Sequence, residues 1–168
     1  MILNYIYIYM IIALDGPSGT GKSTTAKAVA SQLNIAYLDT GAMYRALTFI
    51  ALQQEISYDN ESSLAELALN LNFEFKQDGS ILVNSKVLGD EIRTPEVSSH
   101  VSKYCQLPAV RSALTEAQRK VGQNQSCLLD GRDIGTVVFP KADYKFFMLA
   151  DYKVRAQRRL AELESKNI

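Results

Sequence analysis

The chain has 168 residues, of which 47% are hydrophobic and 21% charged, and its 18 basic and 18 acidic side chains cancel to zero net charge. That composition suits one globular domain with a real core. It excludes the basic excess of a general nucleic-acid binder, and its one long apolar stretch, from Met1 to Leu14, is too short to span a bilayer.

Residues 1–9 read MILNYIYIY, without the basic flank and small-residue cleavage site of a signal peptide. They read as an extension upstream of the folded core, with Met10 as a natural start. The competing reading is an added or lengthened first strand. Met10 to Asp15 then forms a buried strand that runs into Gly16-Pro17-Ser18-Gly19-Thr20-Gly21-Lys22-Ser23, which satisfies G-x-x-x-x-G-K-[ST]. In such a loop the glycines let backbone N–H groups turn inward around phosphate oxygens. Lys22 reaches the β- and γ-phosphates, and the Ser23 hydroxyl can ligate Mg²⁺. The residues from Thr24 to Ala30 read as a helix whose N-terminus faces the anion.

Ile35 to Leu38 is a short apolar strand, and Asp39-Thr40-Gly41 is a turn and helix cap. Met43, Leu47, Ile50 and Ala51 recur at helical spacing through Gln54. Glu61 to Asn70 is a further helix. The period then changes: 72–76, 81–83 and 86–88 alternate as three strands broken by turns at 77–80 and Asn84-Ser85. This is an antiparallel meander inserted into an otherwise alternating strand–helix chain. Pro95 to Tyr104 and Ala109 to Gly122 are helical, with Pro108 in the first turn. Ser126 to Asp130 and Asp143 to Leu149 are two more buried strands. A last helix, 151–165, carries Val154, Leu160 and Leu163 on its apolar side. The alternation predicts a parallel sheet covered on both faces, with ligands at the carboxyl ends of its strands.

The candidate chemistry gathers at those ends. Asp130 closes an apolar strand as a Walker-B-type acid would, placed to hold Mg²⁺ directly or through water. Arg132 and Asp133 follow it; a guanidinium suits phosphate, and a carboxylate accepts from an exocyclic amino group such as that of cytosine. Arg45, on the helix after Thr40, is a phosphate ligand by its placement. Arg93, Arg111, Arg119, Arg155, Arg158 and Arg159 are solvated charges by default and a clamp if a phosphate lies opposite. Cys105 and Cys127 read as buried thiols in a reducing cytoplasm, with a disulfide as the weaker alternative. His100, the single histidine, is a surface or packing residue.

Taken together, IALDGPSGTGKST, LDTGAMYRAL, EIRTPEV, LPAVR with its later QR, and LLDGRDIGTVVFPKADYKFFMLA resemble the bacterial cytidylate kinases, within the P-loop nucleoside monophosphate kinases. The P-loop is shared across that superfamily, whereas DTGAMYR and DGRDIGTVVFP are far more specific. The resemblance runs from about Met10 to the end of the chain. It implies an α/β, three-layer P-loop fold with a parallel central sheet lacking its last strand. The core would comprise 10–70 and 124–168, with 71–123 as the monophosphate-binding insert. It implies phosphoryl transfer from ATP, with Mg²⁺, to CMP or dCMP. Gly16, Pro17, Ser18, Gly19, Thr20, Gly21, Lys22, Ser23 and Thr24 would hold ATP, with Arg155 and Arg159 leading into a lid over it. Thr40, Arg45, Arg132 and the neighbouring Arg93 would hold the acceptor phosphate, and Ser102, Arg111 and Asp133 would read the base. Lys22, Arg132 and Asp130 would carry the catalysis, with Ser23 and Asp130 toward the metal. The partners would be these small molecules alone, for a monomeric enzyme in the cytoplasm, with no nucleic-acid polymer and no membrane.

The family pattern continues past the 152–165 helix into an arginine-rich lid, a second helix, a last strand and a terminal helix, whereas this sequence ends at Asn167-Ile168. These 168 residues by themselves are therefore expected to bind nucleotide weakly, to turn over poorly and to expose a sheet edge. Two alternatives remain: another small-molecule P-loop kinase, such as an adenylate or shikimate kinase, and a non-catalytic nucleotide-binding module. Asp133 and the meander disfavour the first, and the absence of an N-K-x-D guanine reader disfavours a GTPase.

Overall fold

A computed structural model describes residues 9–76 and 78–165. The reading of 1–9 as an extension therefore lies, but for Tyr9, outside the described residues. The elements run β1 (Ile11–Asp15), α1 (Lys22–Leu33), β2 (Ala36–Asp39), α2 (Thr40–Gln53), α3 (Glu61–Asn70), β3 (Phe73–Phe75), β4 (Ile81–Val83), β5 (Lys86–Leu88), α4 (Pro95–Tyr104), α5 (Pro108–Gly122), β6 (Cys127–Gly131), β7 (Tyr144–Phe147) and α6 (Tyr152–Ser165). A 3₁₀ turn at Asp90–Arg93 and a π-helical turn at Ile134–Val138 complete them.

Four strands form one parallel sheet in the order β2-β6-β1-β7. Apolar residues on both faces of its inner strands are what a doubly covered parallel sheet requires. Ile12, Leu14 and Leu128 point toward Ala26 and Ala30 of α1, whose small side chains let the helix lie close. Ala13, Leu38 and Leu129 point the other way, onto Ile134 and Val138. The register levels the strand ends: Asp15 pairs with Gly131 and Phe147, and Asp39 pairs with Asp130.

The turn after β6 is held from β1. Asp15, 6% exposed, accepts from the Ile134 N–H through Oδ1 and from the Gly135 N–H through Oδ2, both at 2.8 Å. A buried carboxylate with two backbone donors is satisfied without a cation.

The meander is a separate antiparallel sheet, β3-β4-β5. Asn84 and Ser85, at φ 49° and 66°, make the tight β4–β5 turn with the backbone twist a two-residue hairpin favours. Phe73, Ile81, Val83 and Leu88 face one continuous core that also takes Met43, Leu47, Leu64, Ile92 and Leu114. The meander thus packs on α2 and α5, and Phe75 of β3 also reaches the core beside the edge strand β2.

Two expectations need correcting. The strand expected to be buried around Phe146 to Leu149 is the edge strand β7, and Phe146, Phe147 and Leu149 are 57%, 64% and 73% exposed. The apolar side expected for the last helix is not buried either: α6 has no buried residue, and Val154 and Leu160 face solvent. The cover on the α1 face consequently stops short of β7. A groove of about 590 Å³ remains there, lined by Ile12, Leu14, Val29, Tyr144, Phe146 and Met148 among others.

At the sheet's upper edge Gly16 has φ +148°, and a Cβ there would lie 2.3 Å from the Met148 carbonyl oxygen. The Met148 N–H in turn donates to the Asp15 carbonyl at 2.7 Å. A Gly16→Ala chain should lose about 1–3 kcal/mol of stability in urea titration, because backbone must move to admit the methyl group. It should also bind ATP more weakly by calorimetry, since the displaced backbone is the start of the P-loop.

Candidate functional site

The donor side is built where β1 turns into α1. Thr20 Oγ1 and Lys22 Nζ both donate to the Pro17 carbonyl, at 3.0 and 2.9 Å, so the loop closes on its own backbone. Lys22 has its pKa lowered by burial and then by the nearby Arg132, with Asp130 pulling the other way. Its ammonium is thus held by a single carbonyl in a partly desolvated place, ready to move onto a stronger acceptor. From α6, Arg158 NH1 donates to the Gly19 and Thr20 carbonyls at 3.1 and 3.0 Å. Arg155 packs against Gly19, and its buried Nε has no hydrogen-bond partner among the described residues.

Asp130, 4% exposed, is the junction between the two sides. Ser23 Oγ donates to its Oδ2 at 2.7 Å, Tyr37 OH donates to its Oδ1 at 3.3 Å, and Thr40 Oγ1 donates to its backbone carbonyl at 2.7 Å. Burial first, and then the charge of Asp39, raise the Asp130 carboxyl to about 6. Burial first, and then the Asp130 charge, raise the Tyr37 phenol, so Tyr37 stays a donor. A serine hydroxyl touching a carboxylate that forms no ion pair with a described residue is a hard-oxygen donor set that fits Mg²⁺. Among the described residues no three His, Cys, Asp or Glu side chains are placed to hold a metal ion by themselves. An ion at this place would therefore complete its shell with phosphate oxygens and water.

A second group of charged residues lies across β2 and β6. Arg45 and Arg93 line a cavity of about 350 Å³ together with Ser98, Ser99, Arg159 and Glu162. Both guanidinium groups bond Asp39, and the buried Arg45 Nε has no hydrogen-bond partner among the described residues. Two guanidinium groups lining one cavity suit an anion. Arg111, from the first turns of α5, pairs with Asp133 and lies 5.8 Å over the Tyr44 ring. Arg119, one of the arginines read as solvated, instead donates to the Val137 and Val138 carbonyls at 2.7 and 2.8 Å and closes the turn after Asp133. Arg132 is exposed, and its guanidinium makes no hydrogen bond to another described residue.

A sequence profile of the family described as cytidylate kinase matches residues 12–168. The chain belongs to the cytidylate kinase family. A cytidylate kinase of Clostridioides difficile (strain 630) is 50% identical over 157 residues, which cover 94% of this chain and 72% of that relative. One of Alkaliphilus oremlandii (strain OhILAs) is 47% identical, covering 95% of this chain and 73% of the relative. One of Clostridium tetani (strain Massachusetts / E88) is 46% identical, covering 94% and 70%.

As a member of the cytidylate kinase family, the chain keeps most of its anticipated site residues at one end of the sheet. Three placements differ from what the resemblance implies. Arg159 is not over the P-loop: it lines the cavity of Arg45 and Arg93 and pairs with Glu162, while Arg158 reaches the P-loop instead. Thr40 is 3% exposed, and its hydroxyl proton is committed to the Asp130 carbonyl, so it ties α2 to β6. Ser102 stands exposed on α4, outside the hydrogen-bond network of the described residues. Asp15, Tyr37 and Asp39 went unread as site residues. Their one signal was position, since each ends or lies within a strand that leads to the ligand edge.

Asp130 makes the cytidylate kinase fold pH-dependent in a definite direction. Its folded pKa of about 6 lies above the usual carboxylate value of about 3.9. The folded state therefore holds the proton more tightly, and the charge costs stability increasingly as pH rises through that window. An Asp130→Asn chain should gain in Tm relative to the parent as metal-free samples are taken from pH 4 to pH 7. A constant difference across that range would contradict the burial of this charge.

Proposed function

We propose that this chain transfers the γ-phosphoryl group of ATP to CMP or dCMP, giving ADP and CDP or dCDP, and that the residues above divide that work between a donor and an acceptor half. One observation carries the reading. The end of β6 serves both halves, with Asp130 against Ser23 of the P-loop and, three residues on, Asp133 paired with Arg111.

In this reading the backbone from Gly16 to Thr24 cradles the ATP phosphates, and Lys22 leaves the Pro17 carbonyl for the β- and γ-oxygens. Ser23, and Asp130 through water, would hold a magnesium ion, which when bound would supply charge neutralisation on those same phosphates. Arg45, Arg93 and the unpaired Arg132 hold the acceptor phosphate. Asp133 accepts from the cytosine amino group, and Arg111 donates to the ring acceptors beside it. Ser102 is a third contact to the base. An acceptor phosphate oxygen attacks the γ-phosphorus in line, and the bond from that phosphorus to the β-bridging oxygen breaks with its electron pair going to ADP. No side chain acts as nucleophile; alignment, neutralisation by Lys22 and arginine, and exclusion of water do the work. Arg155 and Arg159 on α6 stand ready over the two halves. The segment 71–123 acts as the acceptor-binding insert on the P-loop core.

Every group invoked comes from one chain, so a monomer suffices. No helix among the described residues is long and apolar enough to cross a membrane. Cys105 and Cys127 are buried free thiols that burial raises to about 11 and about 12, which suits the reducing cytoplasm where both substrates occur.

An ADP-release assay with CMP, dCMP, UMP, AMP and shikimate as acceptors tests the reading. CMP or dCMP should be preferred, and Asp133→Ala should cut that preference roughly ten- to a hundredfold, as loss of one base contact does. Preference for a non-cytidine acceptor, or calorimetry in which the chain binds ATP and ignores CMP, would defeat it.

A further inference from the structure

We propose that Asp39 is a positioning residue for the acceptor phosphate, its carboxylate setting the guanidinium groups of Arg45 and Arg93 in the geometry that receives it. The inference rests on the reading of Arg45 and Arg93 as phosphate ligands and deepens it.

The geometry is specific. Asp39 Oδ2 accepts from Arg45 NH2 at 2.9 Å and from Arg93 NH2 at 3.0 Å, while Oδ1 accepts from the Ala42 N–H at 3.0 Å as the cap of α2. One carboxylate thereby joins a helix start, a residue six positions along that helix and a residue 54 positions away in a 3₁₀ turn. The two arginines come from elements that fix neither side chain. Each is long, rich in rotamers and repelled by the other. Left alone they would spread into solvent, since Arg93 is already 47% accessible. Bound to one oxygen they converge on the same cavity of about 350 Å³. Each bond to Asp39 uses one nitrogen and leaves the remaining donors of the fork for an anion. The charge balance also fits: two guanidinium charges against one carboxylate leave a net positive cavity for a phosphate.

Position argues against a purely structural role. Asp39 is only 8% exposed and sits in register beside Asp130, so two carboxylates share one buried strand edge. A neutral cap such as asparagine or serine would start α2 as well without that repulsion. Retaining the charge has its return in the arginines.

The test uses the full chain with Asp39→Asn and Asp39→Ser, both of which keep a side-chain acceptor for the Ala42 N–H. Calorimetry with CMP, cytidine and Mg-ATP is run beside an Arg45→Met reference. In both Asp39 variants the Kd for CMP should rise roughly ten- to a hundredfold, the scale of a misplaced positioning group. Cytidine, which lacks the phosphate, and Mg-ATP should bind as before, with Tm not lowered. The inference is overturned if Arg45→Met weakens CMP while both Asp39 variants bind it unchanged or more tightly. It is also overturned if CMP and cytidine weaken alike, or if neither variant folds, because the cap was preserved. If Arg45→Met leaves CMP binding intact, the phosphate reading fails and this inference falls with it.

Discussion

Three buried carboxylates stand at the ligand-side ends of neighbouring strands, and the site follows from how each is compensated. Asp15, Asp39 and Asp130 close β1, β2 and β6 on the ligand side and are 6%, 8% and 4% exposed. A buried charge must find partners or neutralise itself. Asp15 finds two backbone N–H groups. Asp39 finds two arginines and a helix N-terminus. Among the described residues Asp130 accepts from the Ser23 and Tyr37 hydroxyl groups, while burial and then the Asp39 charge raise its proton affinity. The strand register makes this unavoidable, because Asp39 and Asp130 are directly paired.

Those three solutions divide the labour. The backbone-bound carboxylate is inert and rigid: it couples the P-loop strand to the turn that carries Arg132 and Asp133. The arginine-bound one gathers cations that α2 and the 3₁₀ turn would otherwise leave apart. The hydroxyl-bound one is the least stable as an anion and therefore has the most to gain from a divalent cation beside Ser23. Under the proposed function, this arrangement would prepare a distinct field for donor, acceptor and metal before any of them binds.

Much of the fold was legible because its signals are local. Apolar runs of strand length, the P-loop glycines and the switch to period two at 72–88 are all short-range patterns, and the elements fell within three residues of their expected ends. The misreadings concern tertiary neighbours. The run around Phe146 looks as apolar as that of β6, yet the first is an edge and the second is central. An apolar stripe on α6 predicts burial only if something lies opposite it. The π-helical turn at Ile134–Val138 has no compositional mark, since it is imposed by Asp15 from 119 positions away.

The site divides in the same way. The sequence by itself determined the chemistry available: a phosphate loop with Lys22 and Ser23, an acid at Asp130, and enough arginine for two phosphates. It also determined family membership, because DTGAMYR and DGRDIGTVVFP are contiguous strings. Only the tertiary structure decided where each arginine lies. Arg158 and Arg159 are adjacent in sequence, but one helical residue step turns a side chain by about a hundred degrees. One therefore meets the P-loop, and the other meets the cavity of Arg45 and Arg93. The partnership of Asp39 with Arg93 likewise exists only once the meander has folded back on α2, since no local spacing encodes a contact across 54 residues.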